Sequence, residues 1–142
     1  MILVDANLLI YAVNKDAPLH RKARSWLEST LSGSETVGFS WSVLLAFLRL
    51  TTRTSVMRKP LSVSDAFDVV AAWLDQPTVS VVQAGPLHFP ILRDLLAPLG
   101  TAGNLTSDAH LAALAIENGA ELCSTDTDFA RFQGLKSRNP LA

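Results

Sequence analysis

Short apolar runs alternate along the chain with longer segments in which apolar residues recur at helical spacing. Each run is brief and bounded by polar or turn residues, which is the pattern of a buried strand. The runs occupy residues 2–4, 37–39, 79–82 and 122–124, and an edge strand is predicted over residues 135–138. No two runs are joined by a two-residue turn, so the strands must be connected through helices. The pattern predicts a doubly wound α/β fold, with a parallel sheet of four to five strands and helices on both faces.

The segments between the runs carry helix boundary signals. Pro18 suits the first turn of a helix, Ser62 with Asp65 resembles a capping box, and Gly119 suits a left-handed helix end. The helix predicted over residues 41–53 is apolar on most sides, so we expect it to be largely buried. The helix that follows Ser62 is expected to bury its apolar side chains, Val63, Ala66, Phe67, Val70 and Leu74. At 142 residues, the chain is long enough for one domain spanning residues 1–142.

Acidic residues follow two of the predicted strands. Asp5 ends the first strand, Asp126 comes just after the fourth strand, and Asp128 lies two residues further on. Asp108 occupies the first turn of the helix that leads into the fourth strand. In open parallel sheets the ligand site lies beyond the carboxyl ends of the strands, so these acids can meet at one edge.

Each acid also has a purely structural interpretation. Asp108 can interact favourably with the positive end of its helix dipole, and Asp126 can be a turn or cap residue. Asp5 has few such explanations, because aspartate is a poor strand former and is seldom buried without a partner.

A shared site for these carboxylates requires protons or a cation. Two ionised carboxylates about 5 Å apart, at an effective dielectric constant of about 20, repel each other by about 3 kcal/mol. Oxygen ligands without cysteine or a histidine pair favour Mg²⁺ or Mn²⁺ over zinc. A hard cation beside an open cleft commonly activates water against a phosphodiester. The residues therefore predict metal-assisted phosphodiester hydrolysis.

Four stretches of the chain resemble a known family: "ILVDANLLIYAVN", "WSVLLAFLRLTT", "AGNLTSDAHLAALA" and "DAHLAALAIENGAELCSTDTDFARF". Together they resemble a PIN-domain ribonuclease, and especially the VapC-type toxins of type II toxin–antitoxin systems, in the branch abundant in mycobacteria. The resemblance covers essentially the whole chain. It implies a single PIN-like, Rossmann-like domain.

The resemblance also implies specific roles and partners. Asp5, Asp108 and Asp126 match the family's catalytic metal-binding acids, and Asp128 matches a companion acid that also binds metal. The implied activity is a Mg²⁺- or Mn²⁺-dependent endoribonuclease that cleaves structured RNA of translation, transfer RNA or ribosomal RNA. The implied partners are a second copy, in a homodimer, and a small cognate antitoxin of the VapB type.

One residue departs from the family pattern. PIN nucleases commonly carry a glutamate on the helix after the second strand, whereas "LLAFLRL" places Ala46 there. Loss of this glutamate is frequent in the branch that the chain resembles. It raises the alternative of a catalytically silent PIN-like module that binds RNA or protein.

The formal net charge of -1 neither suggests nor excludes a nucleic-acid partner, so a local basic patch must supply any RNA affinity. A helical stripe from Ala46 continues through Arg49 and Arg53 towards Arg58 and Lys59, and we predict RNA binding there. A solvated helix face is the competing interpretation. Arg21, Lys22 and Arg24 lie on a strongly amphipathic helix, where we favour a solvated face.

Several other classes fit less well. The single cysteine, Cys123, lies in a predicted strand and is expected to be an inert core thiol. No secretory signal or membrane span is recognisable, so a soluble, cytoplasmic protein is expected. The Asp-x-Asp of "STDTDF" resembles that of haloacid-dehalogenase-type phosphatases, but it lies too near the C-terminus for that fold. "VDAN" lacks the adjacent acids of a receiver domain.

Overall fold

Five parallel strands form the centre of the computed structural model, which describes residues 1–142. The strands are β1 (Ile2–Val4), β2 (Val37–Ser40), β3 (Val79–Val82), β4 (Glu121–Cys123) and β5 (Ser137–Arg138). Their order across the sheet is β3-β2-β1-β4-β5, and every neighbouring pair is parallel. The predicted parallel α/β sheet is therefore confirmed.

Six α-helices connect the strands. They are α1 (Ala6–Val13), α2 (His20–Leu31), α3 (Trp41–Thr51), α4 (Val63–Leu74), α5 (His88–Leu96) and α6 (Thr106–Glu117). Helix α1 packs against α2 and α3, α3 packs against α4, and α5 packs against α6, which gives two helical layers around the sheet. No helix has the length and apolar character needed to cross a membrane.

The predicted helix boundaries are largely confirmed, with small differences at α2 and α3. Ser62 accepts a hydrogen bond from the backbone N–H of Asp65, and Gly119 has a φ of 61°, as expected. Helix α3 ends at Thr51, two residues before the predicted end. Pro18 precedes the helix that begins at His20. Strand β4 ends at Cys123, and the side chain of Ser124 forms hydrogen bonds with Asp5 and with the backbone of Asp126 just beyond the strand end.

The core lies where the sheet meets the inner faces of the helices. Trp73 of α4 packs edge-on against Phe47 of α3 with ring centroids 4.9 Å apart, and it also contacts Phe39 of β2. These aromatic contacts join α3 and α4 to the sheet.

The predicted burial of α3 and α4 is wrong on their outer faces. Trp41 and Leu45 of α3 are 49% and 59% exposed, and Val63 and Phe67 of α4 are 64% and 56% exposed. Each helix contacts the core along one stripe only, so apolar residues elsewhere on its circumference face outwards. Apolar composition alone does not distinguish a core face from an exposed apolar face.

The strand order reverses beside β1. From β1 the chain builds β2 and β3 on one side, and it later adds β4 and β5 on the other. The carboxyl ends of β1 and β4 thus flank the crevice in which open α/β sheets bind ligands.

Candidate metal centre

Asp5 ends β1 and begins α1. Its Oδ1 accepts a hydrogen bond of 2.7 Å from the backbone N–H of Ala6, and its own N–H donates to the carbonyl of Cys123 at 3.0 Å. The carboxylate is half-buried at the switch point of the sheet. An acid at this position therefore caps a helix and also faces the crevice.

Ser124 joins the two strand ends through its hydroxyl. Its Oγ donates to Asp5 Oδ2 at 2.7 Å and accepts from Asn7 Nδ2 at 3.2 Å and from the backbone N–H of Asp126 at 3.0 Å. The sequence pattern predicts Ser124 only as the last residue of a strand and does not indicate this role. The signal was a serine, a poor core residue, between a buried strand and an acidic turn.

Asp126 and Asp128 are held by the turn after β4. Asp126 caps a short 3-10 helix, Thr127–Arg131, and its Oδ1 accepts from the backbone N–H of Asp128 at 2.9 Å. Asp126 therefore has the predicted cap role, and it also belongs to a group of three carboxylates. One carboxylate oxygen each from Asp108, Asp126 and Asp128 lies within 4.8 Å of the others. Asp5 lies outside this group of three, although it lines the neighbouring cleft.

Asp108 lies in the first turn of α6, whose N-terminus has no side-chain cap. Burial, followed by repulsion from Asp126, Asp5 and Asp128, raises the pKa of Asp108 from 3.8 to about 6. Burial also raises the pKa of Asp5, against the lowering effect of its bonds from Ser124 and Ala6. The four acids predicted from sequence therefore form one electrostatic unit, with excess negative charge that a cation would neutralise.

A cleft of about 380 Å³ adjoins these acids. Asp5 and Asp108 line it together with Ser42, Ala46 and Arg49 of α3. Ala46 therefore occupies the cleft wall at the position where PIN nucleases commonly carry a glutamate. The small side chain leaves this wall without a fourth acid.

The four predicted RNA-binding residues occupy different places. Arg49 lines the acidic cleft, and Arg53 is exposed beyond the end of α3. Because α3 stops at Thr51, Arg53 does not continue the helical stripe as predicted. Arg58 and Lys59 line a separate groove next to the end of α1. Their RNA-binding role stays a prediction.

The remaining reactive side chains lie apart from the acids. Burial raises the pKa of the Cys123 thiol to about 11, as expected for an inert core cysteine. His110 is not part of the group of three carboxylates, and its Nδ1 lies 2.9 Å from His88 Nε2. The group of three carboxylates thus contains oxygen donors only.

Comparisons with known proteins agree with this geometry. The family model for the PIN domain matches residues 2–135. Ribonuclease VapC33 of Mycobacterium tuberculosis is 47% identical over 141 residues, which cover 99% of each chain. The chain belongs to the PIN-domain family and, within it, to the VapC ribonucleases.

Two solved VapC-type structures share the fold. The complex VapBC2 of Rickettsia felis, bound to a DNA fragment from its promoter, matches with a TM-score of 0.68 and 23% identity, covering 98% of both chains. VapC20 of Mycobacterium tuberculosis, described as a sarcin–ricin loop cleaving toxin, matches with a TM-score of 0.64 and 21% identity, covering 96% of this chain and 99% of that one. The predicted family and fold are therefore confirmed.

The raised pKa of Asp108 gives this PIN domain a defined pH response in the absence of metal. Between pH 3.8 and about 6 the native state binds more protons at Asp108 than the unfolded state, so its contribution to stability falls as pH rises through that window. We expect the melting temperature of Asp108→Asn to rise relative to that of the wild type as the pH increases from about 4 to 7. Thermal melts in chelator measure this difference.

Asp68→Asn is the matched control for that measurement, because Asp68 is an exposed aspartate on α4 without an ion-pair partner. The melting temperature of Asp68→Asn should follow that of the wild type at every pH. A difference between Asp108→Asn and wild type that stays constant with pH contradicts the electrostatic unit described above.

Proposed function

We propose that this VapC-family chain is a divalent-metal-dependent endoribonuclease whose cation is held by Asp108, Asp126 and Asp128. The observation that carries the proposal is the convergence of these three carboxylates within 4.8 Å, from α6 and from the turn after β4. Asp5, on the adjoining cleft wall, is the fourth acid of the proposed site.

The donor set fits a hard cation. It contains only carboxylate oxygens, which suit Mg²⁺ or Mn²⁺. Burial, and then repulsion from Asp126, Asp5 and Asp128, raises the pKa of Asp108, so part of the negative charge around this group is not compensated by the protein. Arg131, 3.6 Å from Asp128, is the single ion-pair partner within the cluster, and both side chains are about half exposed. Such a surface pair neutralises the cluster only weakly.

The protein's own residues orient the reacting groups. Hydrogen bonds from Ala6 and Ser124 fix both oxygens of Asp5, and each oxygen keeps a lone pair. We propose that Asp5 orients the attacking water and accepts its proton, which its raised pKa favours. Arg49, on the same wall, is placed to bind a substrate phosphate. A bound divalent cation would acidify water and stabilise the charge that develops on the phosphate.

The proposed substrate is structured RNA of translation, either transfer RNA or ribosomal RNA, in the cytoplasm. The family membership supports RNA as the substrate, and the description of VapC20 as cleaving the sarcin–ricin loop supports a ribosomal target as one instance.

The proposed protein partner is a cognate antitoxin of the VapB type. The VapBC2 structure contains such a pair, and here Leu45 lines the acidic cleft with 59% of its surface exposed. Trp41, one turn earlier on α3, is 49% exposed. A partner that covers these side chains would also cover the cleft. The homodimer stays a prediction.

The main test is RNA cleavage by the purified protein. The wild type should cleave RNA in the presence of Mn²⁺ or Mg²⁺, and cleavage should stop when a chelator is added. The substitutions Asp108→Asn and Asp126→Asn should each reduce the cleavage rate at least about 100-fold. Both variants should remain folded by circular dichroism. The control Asp68→Asn, purified identically, should retain full activity.

Two results would contradict the proposal. Cleavage that continues in chelator, or that Asp108→Asn retains, would show that the acids are not the metal-binding catalytic group. A folded wild type without any cleavage of transfer or ribosomal RNA would favour the silent PIN module, the alternative that Ala46 raises.

The substitution Ala46→Glu tests the placement of α3 against the site. The glutamate would add an oxygen ligand on the cleft wall, so Mn²⁺ affinity should rise by about tenfold, equivalent to about 1.4 kcal/mol. The metal-free variant should be less stable than wild type, because a further charge joins the cluster. Calorimetric titration and thermal melts with and without Mn²⁺ measure both effects.

Ala46→Gln is the matched control, because it has nearly the same size and shape without the charge. Equal Mn²⁺ affinity in the two variants would count against the placement of α3 beside the metal site. Unfolding of Ala46→Glu that Mn²⁺ does not reverse would show instead that the position is packed as core, where a buried glutamate costs several kcal/mol.

A further inference from the structure

Basic side chains without ion-pair partners lie in the acidic cleft, at the end of α3 and in a second groove. Four of the twelve Lys and Arg side chains form salt bridges, and the eight that do not include Arg49, Arg53, Arg58, Lys59 and Lys15. Arg49 lines the cleft, and Arg58, Lys59 and Lys15 line the groove. Uncompensated like charges close together favour a polyanionic ligand.

The groove has a volume of about 520 Å³ and lies between the end of α1 and the connection from α3 to α4. Its floor includes Met57, which is only 4% exposed. Lys15, Arg58 and Lys59 bring three positive charges to its walls, and Asp16 brings one negative charge. The groove therefore combines an apolar floor, suited to sugar or base, with cations suited to phosphates.

Backbone hydrogen bonds hold this groove against the end of α3. The carbonyl of Arg53 accepts from the N–H groups of Val56 and Met57 at 3.2 and 3.0 Å. The N–H of Leu61 donates to the carbonyl of Thr51 at 2.8 Å. The connection thus folds back on α3, which places Arg58 and Lys59 near Arg53.

The groove is distant from the scissile site. Helix α1 starts beside Asp5 and runs for 8 residues before it reaches the groove, a rise of about 12 Å. An RNA whose scissile bond lies in the acidic cleft must extend past Arg49 and Arg53 to reach Lys15. Only a substrate longer than a few nucleotides can occupy both places.

We propose that this groove is a second RNA-binding site, which holds the sugar–phosphate backbone of the substrate at a distance from the bond that is cut. The inference rests on the proposed ribonuclease function. RNA is the favoured occupant over an acidic peptide, because unpaired cations are present both in the groove and in the acidic cleft where the RNA would be cut. A strand with regularly spaced phosphates can contact both sets of cations.

The test compares two pairs of substitutions with the same chemistry. Arg58→Ala/Lys59→Ala removes the groove cations, and Arg21→Ala/Lys22→Ala removes an adjacent, exposed Arg–Lys pair that lines a different groove and has no ion-pair partner. Both pairs change the net charge equally. The affinity of the full-length protein for fluorescent oligouridylates of about 6 and about 20 nucleotides is measured in chelator over a range of salt concentrations.

For the long probe, Arg58→Ala/Lys59→Ala should reduce the affinity about tenfold. It should also reduce the magnitude of the slope of log affinity against log salt concentration by about 1.4, because each phosphate contact contributes about 0.7 to that slope. The loss on the short probe should be at least severalfold smaller. Lys15→Ala should lower the long-probe slope by about 0.7. Arg21→Ala/Lys22→Ala should match the wild type.

Equal salt slopes for the two pairs of substitutions would overturn the second site, even if the wild type cleaves RNA. An Arg58→Ala/Lys59→Ala protein that instead loses capture of its co-expressed antitoxin, with the RNA slope unchanged, would also overturn it and assign the groove to a protein partner. A wild type that neither binds nor cleaves RNA would refute the proposed function together with this inference.

Discussion

The hydrogen bond from Ser124 Oγ to Asp5 Oδ2 connects the two strand ends on which the acidic site is built. Strands β1 and β4 pair directly at the switch point of the sheet, so their carboxyl ends lie side by side. The same hydroxyl accepts from the backbone N–H of Asp126 and thereby fixes the start of the acidic turn. One buried side chain thus orients Asp5 and positions Asp126, and Asp126 in turn holds Asp128.

The acidic site opposes the stability of the fold that contains it. Burial and mutual repulsion raise the pKa values of Asp108 and Asp5, so the ionised native state carries unfavourable electrostatic energy at neutral pH. The packed core of the sheet and its helices must offset that energy. Ala46 reduces the cost, because the cleft wall on α3 lacks a further acid. A cation bound by three carboxylates would turn the same charges into a favourable interaction.

Features that depend on local pattern and strand direction could be predicted from the amino-acid sequence. Asp5 and Asp126 were placed together because both follow parallel strands, and Gly119 was assigned a left-handed conformation from its position after a helix. Ser124 was missed, because a hydroxyl acquires its role only from contacts across strands far apart in sequence. The exposure of Phe67 was missed for a related reason: periodicity shows that a face is apolar, and tertiary packing decides what covers it. The position of Arg58 depends on a connection that folds back on α3, which residue spacing does not reveal.

The proposed activity requires that Asp108, Asp126 and Asp128 together hold one divalent cation. Anomalous X-ray diffraction from crystals grown with Mn²⁺ tests it most directly, because the manganese signal locates the ion without reference to activity. We expect an anomalous peak bounded by these three carboxylates in the wild type, and its loss in Asp108→Asn crystals grown in the same way. Manganese bound only elsewhere, with these carboxylates free of metal at saturating concentration, would contradict it.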